Sequence, residues 1–99
     1  MTILVTGGAG FIGSHLVDHL IAHGVTPLIF DLQRSTYHPD ADHHIGSILD
    51  VEPLRAAMGG VHAVIHLAAV ADVKDVFEDT FYAETVNTRG TIGVLEASR

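Results

Sequence analysis

Three glycines, Gly7, Gly10 and Gly13, stand three residues apart just beyond the apolar run Ile3-Leu4-Val5, with Thr6 between, and Asp31 closes a second apolar run, Leu28-Ile29-Phe30. Each residue type suits one part of a single task. A glycine at 7 permits a tight turn, one at 10 lets the backbone approach an anionic group with no Cβ in the way, and one at 13 lets a following helix lie close to the strand before it. A helix starting here aims its unpaired N–H groups and partial positive charge at the same spot. That is worth about 0.3 to 1 kcal/mol per charge at exposed sites. The Asp31 carboxylate, at the end of a neighbouring strand, can accept hydrogen bonds from both hydroxyls of a ribose and repels a 2′-phosphate. Together these residues describe a turn that holds the pyrophosphate of a dinucleotide, with NAD favoured over NADP. Arg34, three residues on, reads as a solvated loop residue.

The elements that must position these groups follow from the apolar pattern. Ile3-Leu4-Val5 suits a strand buried on both faces, as in a parallel sheet. Ile12, Leu16, Leu20, Val17 and Ile21 recur at helical spacing, giving a face that can pack on that sheet until Gly24 ends the helix. His15, His19 and His23 share this helix at four-residue intervals; they read as an amphipathic edge rather than a metal site. Thr26 to Asp31 is a second strand, with Pro27 tolerable near its start. Residues 32 to 43 lack periodicity and read as a surface loop, leaving His44-Ile45-Gly46 as a short third strand. Asp50 then suits an N-cap, Glu52 and Pro53 a first turn, and Leu54, Ala57 and Met58 a helical face ended by Gly59-Gly60. Val61 to Leu67 is a fourth strand. The small residues after it, Ala68-Ala69-Val70-Ala71, suggest another close approach by ligand. From Asp79 or Thr80 a helix runs to the C-terminus, its Gly90 and Gly93 costing about 1 kcal/mol each against alanine.

Strands alternating with helices imply an α/β, doubly wound parallel sheet of about four strands, Rossmann-like, with ligand at the carboxyl ends of the strands. Ninety-nine residues make one domain, small for an enzyme that closes over a dinucleotide and a substrate. Five basic residues against twelve acidic ones, a net charge of -7, argue against nucleic acid or an anionic membrane as partner. The absence of cysteine excludes disulfides and thiolate metal sites. The 47% hydrophobic content is high for so short a chain and leaves room for a face that expects a partner. With no apolar stretch near eighteen residues and no leader pattern, a soluble cytoplasmic protein is the expectation.

Four segments also resemble one family. Thr6-Gly7-Gly8-Ala9-Gly10-Phe11-Ile12-Gly13-Ser14-His15-Leu16, Asp31, His66-Leu67-Ala68-Ala69 and Asn87-Thr88-Arg89-Gly90-Thr91 closely resemble the extended short-chain dehydrogenases, the NAD-dependent epimerase/dehydratase group, in order and spacing along the whole chain. The resemblance implies that Gly7, Gly10, Phe11, Ile12, Gly13, Asp31, Leu67, Ala68 and Ala69 face NAD. It implies that Ser47 and Ile48 meet the adenine ring, with Ser47 standing where the family usually has aspartate. Asn87 would stabilise backbone near the nicotinamide half of the site. His62 stands where the family often has an acidic residue, and Ala71 where some sugar epimerases place a lysine.

The family's Tyr-x-x-x-Lys pair, in which the tyrosine acts as general acid or base, has no counterpart here. Tyr37 is followed four residues on by Ala41 and Tyr82 by Val86, and the only lysine is Lys74. The expectation is therefore a partial NAD-binding domain, residues 1–99, without catalytic residues of its own. It would belong to a longer oxidoreductase or isomerase acting on nucleotide sugars. The competing expectation is a freestanding nucleotide-binding or interaction module that forms a homo-oligomer or strand-exchanged dimer, because a Rossmann sheet cut after four strands leaves an edge and helix faces uncovered.

Overall fold

The computed structural model describes residues 1–99. The first apolar run forms β1 (Thr2–Thr6), the glycine turn leads into α1 (Phe11–Ala22), and the second run forms β2 (Thr26–Asp31). β3 (Asp42–Ile45), α2 (Val51–Ala57) and β4 (Ala63–His66) follow, then α3 (Val73–Glu78), α4 (Thr80–Glu84), a π turn (Thr85–Arg89) and α5 (Gly90–Ala97). The four strands make one parallel sheet in the order β3-β2-β1-β4. The chain steps outward from β1 to β3, then returns to the far side of β1. A crevice therefore opens beyond the carboxyl ends of β1 and β4, where the strand order reverses.

Alternate residues of the strands feed two separate cores. Leu4 and Phe30 join Ile48, Leu54, Val86, Val94 and Ala97 on the face covered by α2 and α5. Ile29 packs with Ala9 and Val17 on the face covered by α1. The architecture is the doubly wound, Rossmann-like α/β sheet that the sequence implies. No helix is long and apolar enough to cross a membrane.

Several boundaries differ from the sequence pattern. α1 buries only Gly13, Ser14 and Val17; Ile12 is 70% and Ile21 50% exposed, so they do not pack on the sheet. Close approach at Gly13 narrows the contact to this stripe. The helix does end as expected: Gly24 has φ +74°, Val25 N–H reaches Leu20 O at 2.9 Å and Gly24 N–H reaches Ile21 O at 3.0 Å, the pairing of a Schellman cap. β3 begins at Asp42, inside the segment that reads as loop. It is an edge strand whose Phe30–His44 register pair stacks at 5.2 Å, and tertiary pairing of this kind favours a strand despite its polar residues.

Asp50 occupies the N-cap position of α2, but its side chain makes no capping hydrogen bond. β4 proper spans four residues, although His62 N–H to Thr2 O and Leu67 N–H to Thr6 O extend its pairing at both ends. His62 also accepts Thr2 N–H at Nδ1, 3.1 Å away. The sequence pattern has no element at α3, which buries none of its residues and so lacks an apolar stripe; its signal is local, with Asp72 capping Lys74 N–H, just as Asp79 caps Tyr82 N–H at the start of α4. The single C-terminal helix is divided into α4, the π turn and α5. Its glycines serve packing: a Cβ on Gly90 would collide with Ile48 Cδ1, and one on Gly93 would lie 3.0 Å from Ile48 O.

Candidate functional site

The crevice is built on the glycine turn. Gly7 has φ +71°, and a Cβ there would also lie 2.7 Å from Ala68 N, so both conformation and contact require glycine. A Cβ on Gly13 would collide with Gly7 O and lie 2.7 Å from Gly8 Cα, which fixes how closely α1 approaches the turn. Gly10 differs from both. A Cβ there would meet only Gly7 O, at 3.4 Å, an ordinary contact, so the protein's own packing leaves its exposed face clear.

The N–H groups of Phe11, Ile12 and Gly13 have neither a backbone acceptor nor a capping side chain. The side chains of Phe11 and Ile12 are both 70% exposed, so these two positions offer their amides rather than their apolar groups to the turn. Asp31 stands at the carboxyl end of β2 with Oδ2 accepting Ala9 N–H at 3.1 Å and Oδ1 accepting Gln33 N–H at 3.4 Å. The carboxylate is thereby tied to the glycine turn itself. Arg34 is directed elsewhere, donating to Pro39 O at 3.1 Å.

The crevice has a volume of about 250 Å³. That is just below the range of about 300–1,000 Å³ usual for small-molecule pockets, so it suits part of a dinucleotide. Gly7, Gly10, Asp31, Ser47, Ile48, Leu67, Ala68 and Ala69 all line it, whereas Phe11, Ile12, Gly13 and Asn87 lie outside its lining. Ser47 Oγ accepts Leu49 N–H at 3.1 Å and retains a proton to donate. Ile48 is only 6% exposed and belongs chiefly to the core.

On the β4 side, Leu67 and Ala68 donate their N–H groups to Thr6 Oγ1 at 3.0 and 3.2 Å. Asn87 clamps Val70 from both sides: its Oδ1 accepts Val70 N–H at 2.8 Å and its Nδ2 donates to Val70 O at 2.9 Å. Its side chain thus holds the end of the 67–70 segment by backbone contacts.

Phe30, Leu32, Gly46, Val70, Tyr82 and Val86 also line the crevice, beyond the site residues that the sequence implies. Phe30, Leu32 and Gly46 are sequence neighbours of expected residues, which is a usable signal. Tyr82 and Val86 reach the wall only because α4 and the π turn fold back over the 67–70 segment. The histidines of α1 take separate local contacts: His15 meets the Phe11 ring edge-on at 4.9 Å, and His23 Nδ1 lies 2.8 Å from His19 O.

Comparison with known proteins identifies the family and the fold. The model of the NAD dependent epimerase/dehydratase family matches residues 3–99. A UDP-glucose 4-epimerase of Streptococcus mutans is 38% identical over 97% of this chain and 31% of its own length. The human decarboxylating sterol-4-alpha-carboxylate 3-dehydrogenase is 33% identical over 96% of this chain and 25% of its own length. Among solved structures, the UDP-glucose 4-epimerase of Brucella ovis in complex with NAD superposes with a TM-score of 0.88 at 37% identity, over 97% of this chain and 31% of that one. The corresponding Thermus thermophilus epimerase, also a complex with NAD, gives 0.87 at 36% identity, over 98% of this chain and 33% of that one. The chain thus spans between a quarter and a third of the length of these proteins. By its sequence over residues 3–99 and by its fold, this chain belongs to the NAD-dependent epimerase/dehydratase family.

Proposed function

We propose that this chain binds the adenosine-diphosphate portion of NAD, as the cofactor-binding part of an oxidoreductase or isomerase that acts on nucleotide sugars. The observation that carries this reading is the Phe11, Ile12 and Gly13 N–H groups, unpaired at the start of α1 directly after Gly10, in a turn whose Ala9 N–H is bonded to the Asp31 carboxylate. The residues present fit the cofactor. The amides and helix end suit a pyrophosphate, the Asp31 carboxylate suits ribose hydroxyls, and its charge disfavours a 2′-phosphate, so NAD is preferred to NADP. Ser47 and Ile48 supply a polar and an apolar contact for adenine, while Leu67, Ala68 and Ala69 leave space beside the pyrophosphate. When bound, NAD supplies a nicotinamide that accepts or donates hydride.

Nucleotide sugars as substrate class are supported by the UDP-glucose epimerases among the relatives, which also include a sterol-4-alpha-carboxylate 3-dehydrogenase. With no Tyr-x-x-x-Lys pair, these residues are a partial NAD-binding domain that binds without turning over substrate. Cytoplasmic residence belongs to the same proposal. Isothermal calorimetry with NAD, ADP and NADP tests the binding. The expectation is weak NAD and ADP binding near millimolar, about 4 kcal/mol, and weaker binding of NADP. No heat with NAD or ADP at high protein concentration overturns it.

A second reading, a module that self-associates, is favoured by exposed apolar side chains on α3, α4 and α5: Phe77 is 82%, Phe81 88% and Leu95 64% exposed. Sedimentation distinguishes the two readings. A clean monomer at high concentration counts against self-association and leaves the NAD reading untouched.

A further inference from the structure

Thr6 and His66 are register partners at the carboxyl ends of β1 and β4, and their side chains meet, with Thr6 Oγ1 2.6 Å from His66 Nδ1. The other ring nitrogen, Nε2, lies 3.1 Å from Thr91 Oγ1 on α5. The neighbours fix where the protons are. Thr91 Oγ1 donates its only proton to Asn87 O at 2.6 Å, so it must accept from His66 Nε2–H. His66 Nδ1 is then a lone pair that accepts the Thr6 hydroxyl proton. The remaining lone pairs of Thr6 Oγ1 take Ala68 N–H and a share of Leu67 N–H, which also donates to Thr6 O at 3.0 Å. Each hydroxyl proton and each ring nitrogen is used once, in one direction.

We propose that His66 is a positioning residue for the crevice: its neutral, Nε2-protonated ring orients the Thr6 hydroxyl so that it holds the Leu67 and Ala68 amides beside the glycine turn, and uptake of a proton by His66 releases the Ala68 amide. An imidazolium carries N–H on both nitrogens, and Nδ1–H would face an oxygen whose lone pairs are already filled. The hydroxyl must turn away and one amide must let go. Ala68, at 3.2 Å, holds the longer of the two bonds. Its nitrogen is also the atom nearest to where a Cβ on Gly7 would stand, so release alters the crevice at its floor.

No charged group compensates the proton. β1 carries no titratable side chain, and His62, on the approach to β4, contacts Thr2 N at the far end of that strand. On the covering helices, Glu52 pairs with Arg55 and Glu96 with Arg99, while Arg89 in the π turn is exposed. Lys74 and Glu78 of α3 pair with each other. Burial accordingly lowers the His66 pKa from 6.5.

The consequence for ligand rests on the dinucleotide reading; the hydrogen-bond chain does not, and the test separates them. Long-range 1H–15N NMR of the histidine-labelled protein is expected to show the Nε2–H tautomer of His66 near neutral pH. Protection of the Ala68 amide, taken relative to its intrinsic exchange rate, is expected to fall as that ring takes up its proton below pH 6.5, while Leu67, which keeps its bond to Thr6 O, changes less. NAD affinity should fall over the same range. In His66→Asn, which can accept from Thr6 but cannot titrate, this pH dependence should flatten, with affinity at about pH 8 reduced by up to about tenfold. An Nδ1–H tautomer, or protection of the Ala68 amide that does not follow the His66 titration, overturns the proposal whatever the variant does. Absence of NAD binding at every pH, with the tautomer and exchange as expected, overturns the dinucleotide reading and with it the ligand consequence, and leaves the latch standing.

Discussion

Gly7 and Ala68 approach so closely that a Cβ on Gly7 would stand 2.7 Å from the Ala68 nitrogen, which joins the glycine turn after β1 to the small-residue segment after β4. Gly10, three residues along the same turn, has only Gly7 O near its missing Cβ. Two glycines of one motif are therefore constrained from different sides.

That contrast gives a paired prediction. Gly7→Ala combines a left-handed backbone with a backbone clash and is expected to destabilise the fold by about 2 to 5 kcal/mol. Gly10→Ala should cost no more than about 1 kcal/mol of stability, the usual penalty at a helix N-cap. It should nevertheless weaken NAD binding at least about tenfold. Urea denaturation and calorimetry on both variants check this; equal stability losses with unchanged binding would contradict it.

Asp31 is held toward the turn by Ala9 N–H. Asp31→Asn removes the charge and is expected to weaken NAD binding by about tenfold or more, since hydrogen bonds to a charged group are worth about 1.5–3 kcal/mol. The loss of NADP binding should be smaller, because repulsion of the 2′-phosphate goes with the charge. Competition between the two cofactors reads this directly, and an unchanged NAD to NADP ratio would refute it.

Asn87 grips Val70 through both its N–H and its carbonyl. Both bonds are solvent-exposed, so Asn87→Ala is expected to cost only about 1 kcal/mol of global stability. The local effect should be larger, with faster amide exchange at Val70 than at Val5 or Ile29 in the sheet. Uniformly faster exchange would mean that Asn87 acts on the whole fold instead.

A Cβ on Gly90, at the start of α5, would collide with Ile48 of the segment before α2. Alanine at 90 gains about 1 kcal/mol of helix propensity, but overpacking costs about 1–3 kcal/mol, so a net loss is expected. The Cβ collides with Ile48 Cδ1. Gly90→Ala made in an Ile48→Ala background should therefore be stabilising relative to that background, and a double-mutant cycle with no coupling would be the contrary result.

The lowered pKa of His66, caused by its burial, sets the sign of one component of the pH dependence of stability. The unfolded chain takes up the proton near 6.5 and the folded protein only at lower pH. This component is intact above 6.5, diminishes as pH falls from there toward the folded-state pKa, and levels off below it. Chemical denaturation across that range, compared with His66→Asn, isolates it; a His66 contribution that increases on acidification would contradict the assignment.

The residues legible in the sequence are those whose task is set by local geometry. Gly7 and Gly13, the helix after them, Asp31 at a strand end and the small residues after His66 follow from turn conformation, apolar period and spacing, because each depends on neighbours a few residues away. Their similarity to one family rests on the same short segments. Less legible are the elements stabilised by distant partners. Asp42 and His43 read as loop yet form an edge strand because β2 offers them a ladder, and α3 has no buried stripe to announce it.

The tertiary structure alone decided which side of α1 is buried, since the approach permitted by Gly13 leaves Ile12 and Ile21 in solvent. It also decided that Tyr82 and Val86 return to the crevice wall, and that Thr6, His66 and Thr91 form one directed hydrogen-bond chain across residues 60 and 25 positions apart. The physical reason is the same throughout. Conformational preference and capping are encoded in adjacent residues, whereas burial, register and proton placement depend on which distant groups the folded chain brings within a few ångströms.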